Sequence, residues 1–127
     1  MTGTKIFFYI GSAGFAGALA RYYISGWVYA LFGSRLPFGT LAVNVAGSLL
    51  LGFLYTLSVE RTLLSPELRL ALTVGFLGSF TTFSTFSLET FNLFNEGSLY
   101  LSVMNIAANL LLGLAAVVCG IFLARLL

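Results

Sequence analysis

The chain has 127 residues, 59% hydrophobic and 8% charged, where an ordinary soluble domain carries about 25% charged residues. It has no His, and its acids are Glu60, Glu67, Glu89 and Glu96. The imidazole used in most general-base, Ser-His-Asp and metal-dependent hydrolytic chemistry is therefore missing, and an enzyme is not expected. A net charge of +2, thinly spread, also argues against nucleic-acid binding. The composition predicts an all-α polytopic membrane protein, residues 1–127 forming a single transmembrane domain, because four spans of roughly 20 residues each use up most of the chain. Cys119 is the single cysteine, so no intrachain disulfide forms, and in an apolar run it reads as a small filler.

The first span is predicted over about 6–31. Gly11, Gly14, Ala18 and Arg21 recur at helical spacing there, giving a small-residue stripe that lets helix backbones approach closely. Arg21 costs roughly 2.5 to 3.5 kcal/mol at a helix centre unless it meets a partner or a watery vestibule, so anchoring or function stands beside simple snorkelling. The apolar stretch runs on past the small residues, which argues against a cleaved secretory signal. Gly33-Ser34-Arg35-Leu36-Pro37 is a turn cluster.

The second span, about 38–58, opens with Phe38-Gly39-Thr40-Leu41 and places Asn44, Gly47, Ser48 and Gly52 on a small, amide-bearing face. Asn44 has two readings: it bonds to a neighbouring helix, or its NH₂ offers donors to an anion. Glu60 to Glu67 form the next connection, in which Ser65 is a suitable N-cap, Pro66 suits the first helical position and Glu67 the first turn.

The third span, about 67–94, reads Gly75-Phe76-Leu77-Gly78-Ser79-Phe80-Thr81-Thr82-Phe83-Ser84-Thr85-Phe86-Ser87-Leu88-Glu89 through its middle. Glycines followed by a run of Phe, Ser and Thr weaken a helix, so a broken third helix is expected. Irregular backbone at that depth must be buried in protein or line a cavity. Its freed carbonyls suit a small hard cation, and helix N-termini at a break suit anions. Phe83 and Phe86 share one face beyond the break, with Ser84, Thr85 and Ser87 beside them. Packing explains most such pairs, but ring edges carry positive charge and can replace part of an anion's hydration while hydroxyls donate. Glu89 must be solvated, paired or protonated, with Arg69 or a connecting loop as structural partners and a transport role as the alternative.

Asn95-Glu96-Gly97-Ser98 leads to the fourth span, about 99–124, in which Asn105, Asn109 and Gly113 fall at i, i+4 and i+8 on one stripe. Two stacked amides read either as interhelical glue or as part of a polar path. Four spans gather Lys5, Arg61, Arg69 and Arg125 on one side and leave Arg35 opposite, a lean toward cytoplasmic termini.

Three strings together closely resemble the Fluc/CrcB fluoride channel family of small four-span membrane proteins. They are Gly-x-x-Gly-x-x-x-Arg-Tyr ending at Tyr22, Phe38-Gly39-Thr40-Leu41-x-Val43-Asn44-x-x-Gly47, and the third-span run from Gly75 to Glu89. The resemblance implies an antiparallel, dual-topology homodimer with two pores that passively exports cytoplasmic fluoride across the plasma membrane, here a bacterial inner membrane. It implies Phe83 and Phe86 as a pore-lining aromatic box, Asn44 as a donor along the pathway, Ser84 and Thr85 as track hydroxyls, Glu89 as an acid near the end of the track, and Arg21 near a vestibule. Asn105 and Asn109 complete the expected pathway, standing where relatives often carry hydroxyls. The backbone carbonyls of Gly78 and Thr81 would hold a central structural Na⁺, two from each subunit. The implied partners are thus fluoride, sodium, a second copy of the chain and the lipid bilayer. The alternative is a small proton-coupled exporter using Glu89, although small multidrug exporters carry their acid in the first span, where this chain has only Arg21.

Overall fold

A proline-free stretch of thirty residues forms α1 (Gly3–Phe32), which stops at Gly33 with φ 80°. A side chain is strained in that left-handed region, so glycine is the natural terminator. The computed structural model describes residues 2–127, and every regular element among them is helical. Pro37 directly precedes α2 (Phe38–Tyr55), which winds on as a π-helical turn over Thr56–Glu60. Next comes α3 (Pro66–Leu70). Ser65 Oγ accepts the Leu68 N–H at 3.2 Å, and Pro66 and Glu67 occupy the first turn, as the sequence predicts.

The helix then widens into a π-helical segment, Ala71–Leu77, and tightens again in α4 (Gly78–Phe80). Thr81 (φ −86°, ψ 157°) and Thr82 (φ −148°, ψ 113°) are extended, and α5 (Phe83–Asn95) begins after them. Gly78 is not where the chain turns extended, being helical at φ −60° and ψ −32°. A turn through Gly97 leads to α6 (Leu99–Arg125).

Three helical stretches, Phe38–Glu60, Pro66–Asn95 and Leu99–Arg125, are long and apolar enough to cross a membrane. Four such stretches are expected from the sequence, and α1 differs for a physical reason. It is about 45 Å long at 1.5 Å per residue, but its glycines, serines, tyrosines and Arg21 dilute its apolar character.

Glycines set how closely the helices pass. A Cβ on Gly52 would run into the Val117 carbonyl, and one on Gly120 into the Leu49 carbonyl, so α2 and α6 lie backbone to backbone. α1 meets the third stretch the same way, with Gly17 under the Phe76 carbonyl and Gly75 against Ile10 and Ala13. A Cβ on Gly11, part of the predicted stripe, would meet nothing within 4 Å. The buried centre is Val43 of α2 with Leu77 and Phe80, and Phe76 stacks on Phe80 at 5.6 Å. This core sits just before the extended threonines.

Candidate functional site

The extended link strips helical partners from its backbone, and in a low-dielectric surrounding each unpaired group is costly. Asn44 of α2 supplies substitutes on both sides of Thr82. Its Oδ1 accepts the Thr82 N–H at 2.8 Å, and its Nδ2 donates to the Thr82 carbonyl at 3.1 Å and to Asn109 Oδ1 at 3.0 Å. Both amide hydrogens are thereby used. A Cβ on Gly47 would overlap the Thr81 methyl, so α2 is small where the link passes.

The ends beside the link are held separately. The Thr81 N–H and hydroxyl donate to the Leu77 carbonyl at 3.0 and 2.9 Å, and Arg21 Nε donates to the Ser79 carbonyl at 2.9 Å. Arg21 thus has a carbonyl partner at the C-terminal end of a helical piece, where cations are favoured. Thr82 caps α5, its Oγ1 accepting the Thr85 N–H at 3.2 Å and lying 2.9 Å from the Thr85 hydroxyl. The carbonyls of Gly78 and Thr81 receive none of these bonds. Both residues line one recess; carbonyl oxygens are suitable hard-cation donors, but two of them leave a cation's shell incomplete, so further oxygens would have to come from elsewhere.

α5 is fastened to α6 by polar side chains. Asn105, 1% exposed, donates through Nδ2 to Thr90 Oγ1 at 2.9 Å, and Thr90 Oγ1 donates to the Phe86 carbonyl at 2.7 Å. The Ser102 hydroxyl donates to the Thr90 carbonyl at 3.1 Å. Asn109 Nδ2 donates back to Asn105 at its backbone carbonyl (3.0 Å) and Oδ1 (3.2 Å). The predicted amide stripe therefore joins a continuous run from Thr82 through Asn44, Asn109, Asn105 and Thr90 to Phe86.

Phe83 and Phe86 lie 5.6 Å apart with planes tilted by 57°. Phe86 is 8% exposed and Phe83 76% exposed. Both rings, with Asn44, Asn109, Gly78 and Thr81, line an open recess of about 310 Å³ between α2, the third stretch and α6. Ser84 is exposed, and Thr85 turns its hydroxyl to Thr82.

Glu89 sits apart from that recess. Its Oε1 accepts from the Tyr29 hydroxyl at 2.7 Å and from Thr40 Oγ1 at 2.9 Å. Its Oε2 is buried with no hydrogen-bond partner among the described residues. Arg69, considered as a structural partner from the sequence, is not bonded to it, because the two stand near opposite ends of the third stretch. Glu89 instead lines a second recess of about 280 Å³ with Tyr29, Ser34, Asn92 and Glu96. Tyr29 and Thr90 are not among the residues to which the sequence points, and Thr40 and Thr82 stand in its motif strings without a role. Gly39 is the signal for Tyr29, since a Cβ there would strike the Tyr29 ring.

A family model described as CrcB-like protein, Camphor Resistance (CrcB), matches residues 8–121, a span that contains both recesses. The fluoride-specific ion channel FluC of Geotalea daltonii is 48% identical over 117 residues, covering 92% of this chain and 94% of its own length. The protein of the same name from Syntrophotalea carbinolica is 50% identical over 117 residues, covering 92% and 95%. That from Geobacter sulfurreducens is 50% identical over 112 residues, covering 88% and 90%.

Proposed function

The chain belongs to the CrcB-like family, and from that membership we propose that it is a fluoride-specific channel through which fluoride leaves the cytoplasm down its gradient. The observation that carries this reading is the recess in which two phenylalanine rings stand beside a hydrogen-bonded but extended stretch of backbone. A small anion surrenders a large hydration shell, so it needs several weak replacements rather than one strong site. Ring edges of Phe83 and Phe86 supply positive charge without a competing cation. The hydroxyls of Ser84 and Thr85 lie one and two residues past Phe83, and each can turn a proton to a passing anion. Asn44 donates to the anion by exchange, releasing the Thr82 carbonyl or Asn109 as the ion arrives. Asn109 borders the path, and Asn105 braces it from behind. Arg21 holds the end of α4 from the side of α1, and Glu89 stands toward the other end with its hydroxyl partners.

A ring as exposed as Phe83 leaves the recess open on one side. In this reading a second, antiparallel copy closes it, and the pair encloses two pores. The Gly78 and Thr81 carbonyls of the two copies then offer four oxygens to a Na⁺ at the dimer centre. Bound there, the ion would neutralise facing carbonyl dipoles and pin the copies together without being transported. The setting is a bacterial inner membrane.

The test is efflux from liposomes loaded with fluoride or chloride, with a K⁺ ionophore to carry the counter-charge. Fluoride is expected to leave far faster than chloride. Equal rates, or a strict requirement for a proton gradient, would overturn the channel reading in favour of an unselective pore or an exporter driven through Glu89.

A further inference from the structure

Two of the open recesses share part of their walls. The recess beside the phenylalanine pair is walled in part by Leu51 and Thr73. A neighbouring recess of about 250 Å³ is walled by the same two residues together with Tyr55, Ser58 and Arg69. Leu51 to Tyr55 is one turn along α2, and Thr73 to Arg69 is one turn back along the third stretch, so both recesses follow the same pair of helices. Taken end to end as one groove, they extend from Asn44 to Tyr55 about 16 Å along the axis of α2.

Arg69 is the one charged residue lining that groove. The other arginines at this end are occupied: Arg61 donates to the Arg125 carbonyl at 2.7 Å, and Arg125 pairs with Glu60 at 2.7 Å. Among the described residues, Arg69 makes no ion pair and its guanidinium no hydrogen bond. Glu67 lies two residues away on α3, a spacing that does not face it on a helix. The recess at the far end of the molecule is unlike this one, with carboxylates of Glu89 and Glu96 in its wall.

We infer that Arg69, with Tyr55 in the same wall, forms an anion-collecting mouth that draws a small inorganic anion from water into the groove leading to Phe86. This rests on the channel reading above and adds the residue that gathers the ion at one end. A guanidinium at the entrance of a groove with low-dielectric walls raises the local anion concentration. The attraction is Coulombic, so salt screens it over about 10 Å at 0.1 M ionic strength. It does not tell fluoride from chloride; that choice is left to the narrower part of the path.

The experiment measures fluoride efflux from liposomes at low fluoride and low ionic strength. Arg69→Gln is expected to slow the flux about 3- to 10-fold, with the gap closing as inert salt is added, while Arg69→Lys stays near wild type and the fluoride-to-chloride ratio is unchanged. A second variant removes any dependence on folding. Arg69→Cys in a Cys119→Ser background, needed because Cys119 is exposed, is reconstituted first and labelled afterwards. A positively charged thiol reagent is expected to raise its flux and a negatively charged one to lower it. If Arg69→Gln conducts like wild type at low salt, or the two reagents act alike, the mouth is disproved. If wild type itself passes no fluoride, the channel reading fails and takes the mouth with it.

Discussion

The third stretch is held in two different ways before and after its extended threonines. Before them, from Pro66 to Phe80, it lies on α1 through glycine-to-backbone contact, with Leu77 and Phe80 in the buried centre. After them, α5 buries only Phe86 and Leu93 and is tied to its neighbours by amides and hydroxyls. Close backbone contact fixes a helix without leaving any donor free. A polar tie inside a membrane is worth only about 0.6 kcal/mol on average, so several are needed, and each can be exchanged for another partner. The first half is held by close contact and the second by ties that are individually weak; in the channel reading that second half is the yielding one, giving up its hydrogen bonds one at a time.

The contrast breaks most sharply at Gly17. Gly17→Leu forces a side chain into the Phe76 backbone and is expected to cost about 3 kcal/mol, the upper end for overpacking, because backbone cannot turn aside. Gly11→Leu is the control, with nothing within 4 Å of its Cβ. Thermal unfolding in detergent is expected to show a large loss for the first and almost none for the second. Equal losses would mean that the glycines matter for helix propensity and not for contact.

Asn44→Ala comes next, since it leaves the Thr82 N–H and carbonyl without their side-chain partner at once. About 1 to 3 kcal/mol is expected, the cost of leaving a buried polar group unsatisfied. Fluoride flux is expected to fall with it. Asn44→Asp keeps the acceptor for the Thr82 N–H and loses the donors, so its flux in the efflux assay is expected to fall further than its stability does.

Phe83→Ile and Phe86→Ile test the aromatic part of the yielding half. Losing about 1 to 3 kcal/mol at the barrier slows flux roughly 5- to 150-fold. Phe122→Ile, on the exposed side of α6, is expected to leave flux unchanged. Wild-type flux in both Phe83 and Phe86 variants, with assembly intact, would reduce the rings to packing.

Much of the rigid half is legible in the sequence, because its signals are local. Ser65, Pro66 and Glu67 announce α3 within four residues, and the apolar runs announce helices. The spacing of Gly11, Gly14 and Ala18 marks the right side of α1 only approximately. A stripe defines a face, whereas contact depends on where the partner crosses it, and the crossing falls at Gly14 and Gly17. The yielding half is harder to read because its partners are distant in sequence. Glu89 meets Tyr29 and Thr40, separated by 60 and 49 residues, and no periodicity within one helix names the residue opposite. The π-helical segments, each adding one residue to a turn, leave no local signature either.

The smallest effect concerns the tie that separates a brace from a path. Thr90→Val keeps the shape of the side chain but removes the hydroxyl between Asn105 and the Phe86 carbonyl. A loss of about 0.6 kcal/mol is expected, and no more than about 1.7. Part of that loss comes from stranding the Asn105 amide, so replacing it as well, in Thr90→Val with Asn105→Leu, is expected to return stability toward wild type, because both partners become apolar together. The double-mutant cycle isolates the coupling between them. Its flux is the discriminating measurement. If Asn105 braces α5, flux follows stability and recovers in the double variant. If flux stays low while stability returns, Asn105 meets the ion itself, and the polar run from Thr82 to Phe86 is the path and not its scaffold.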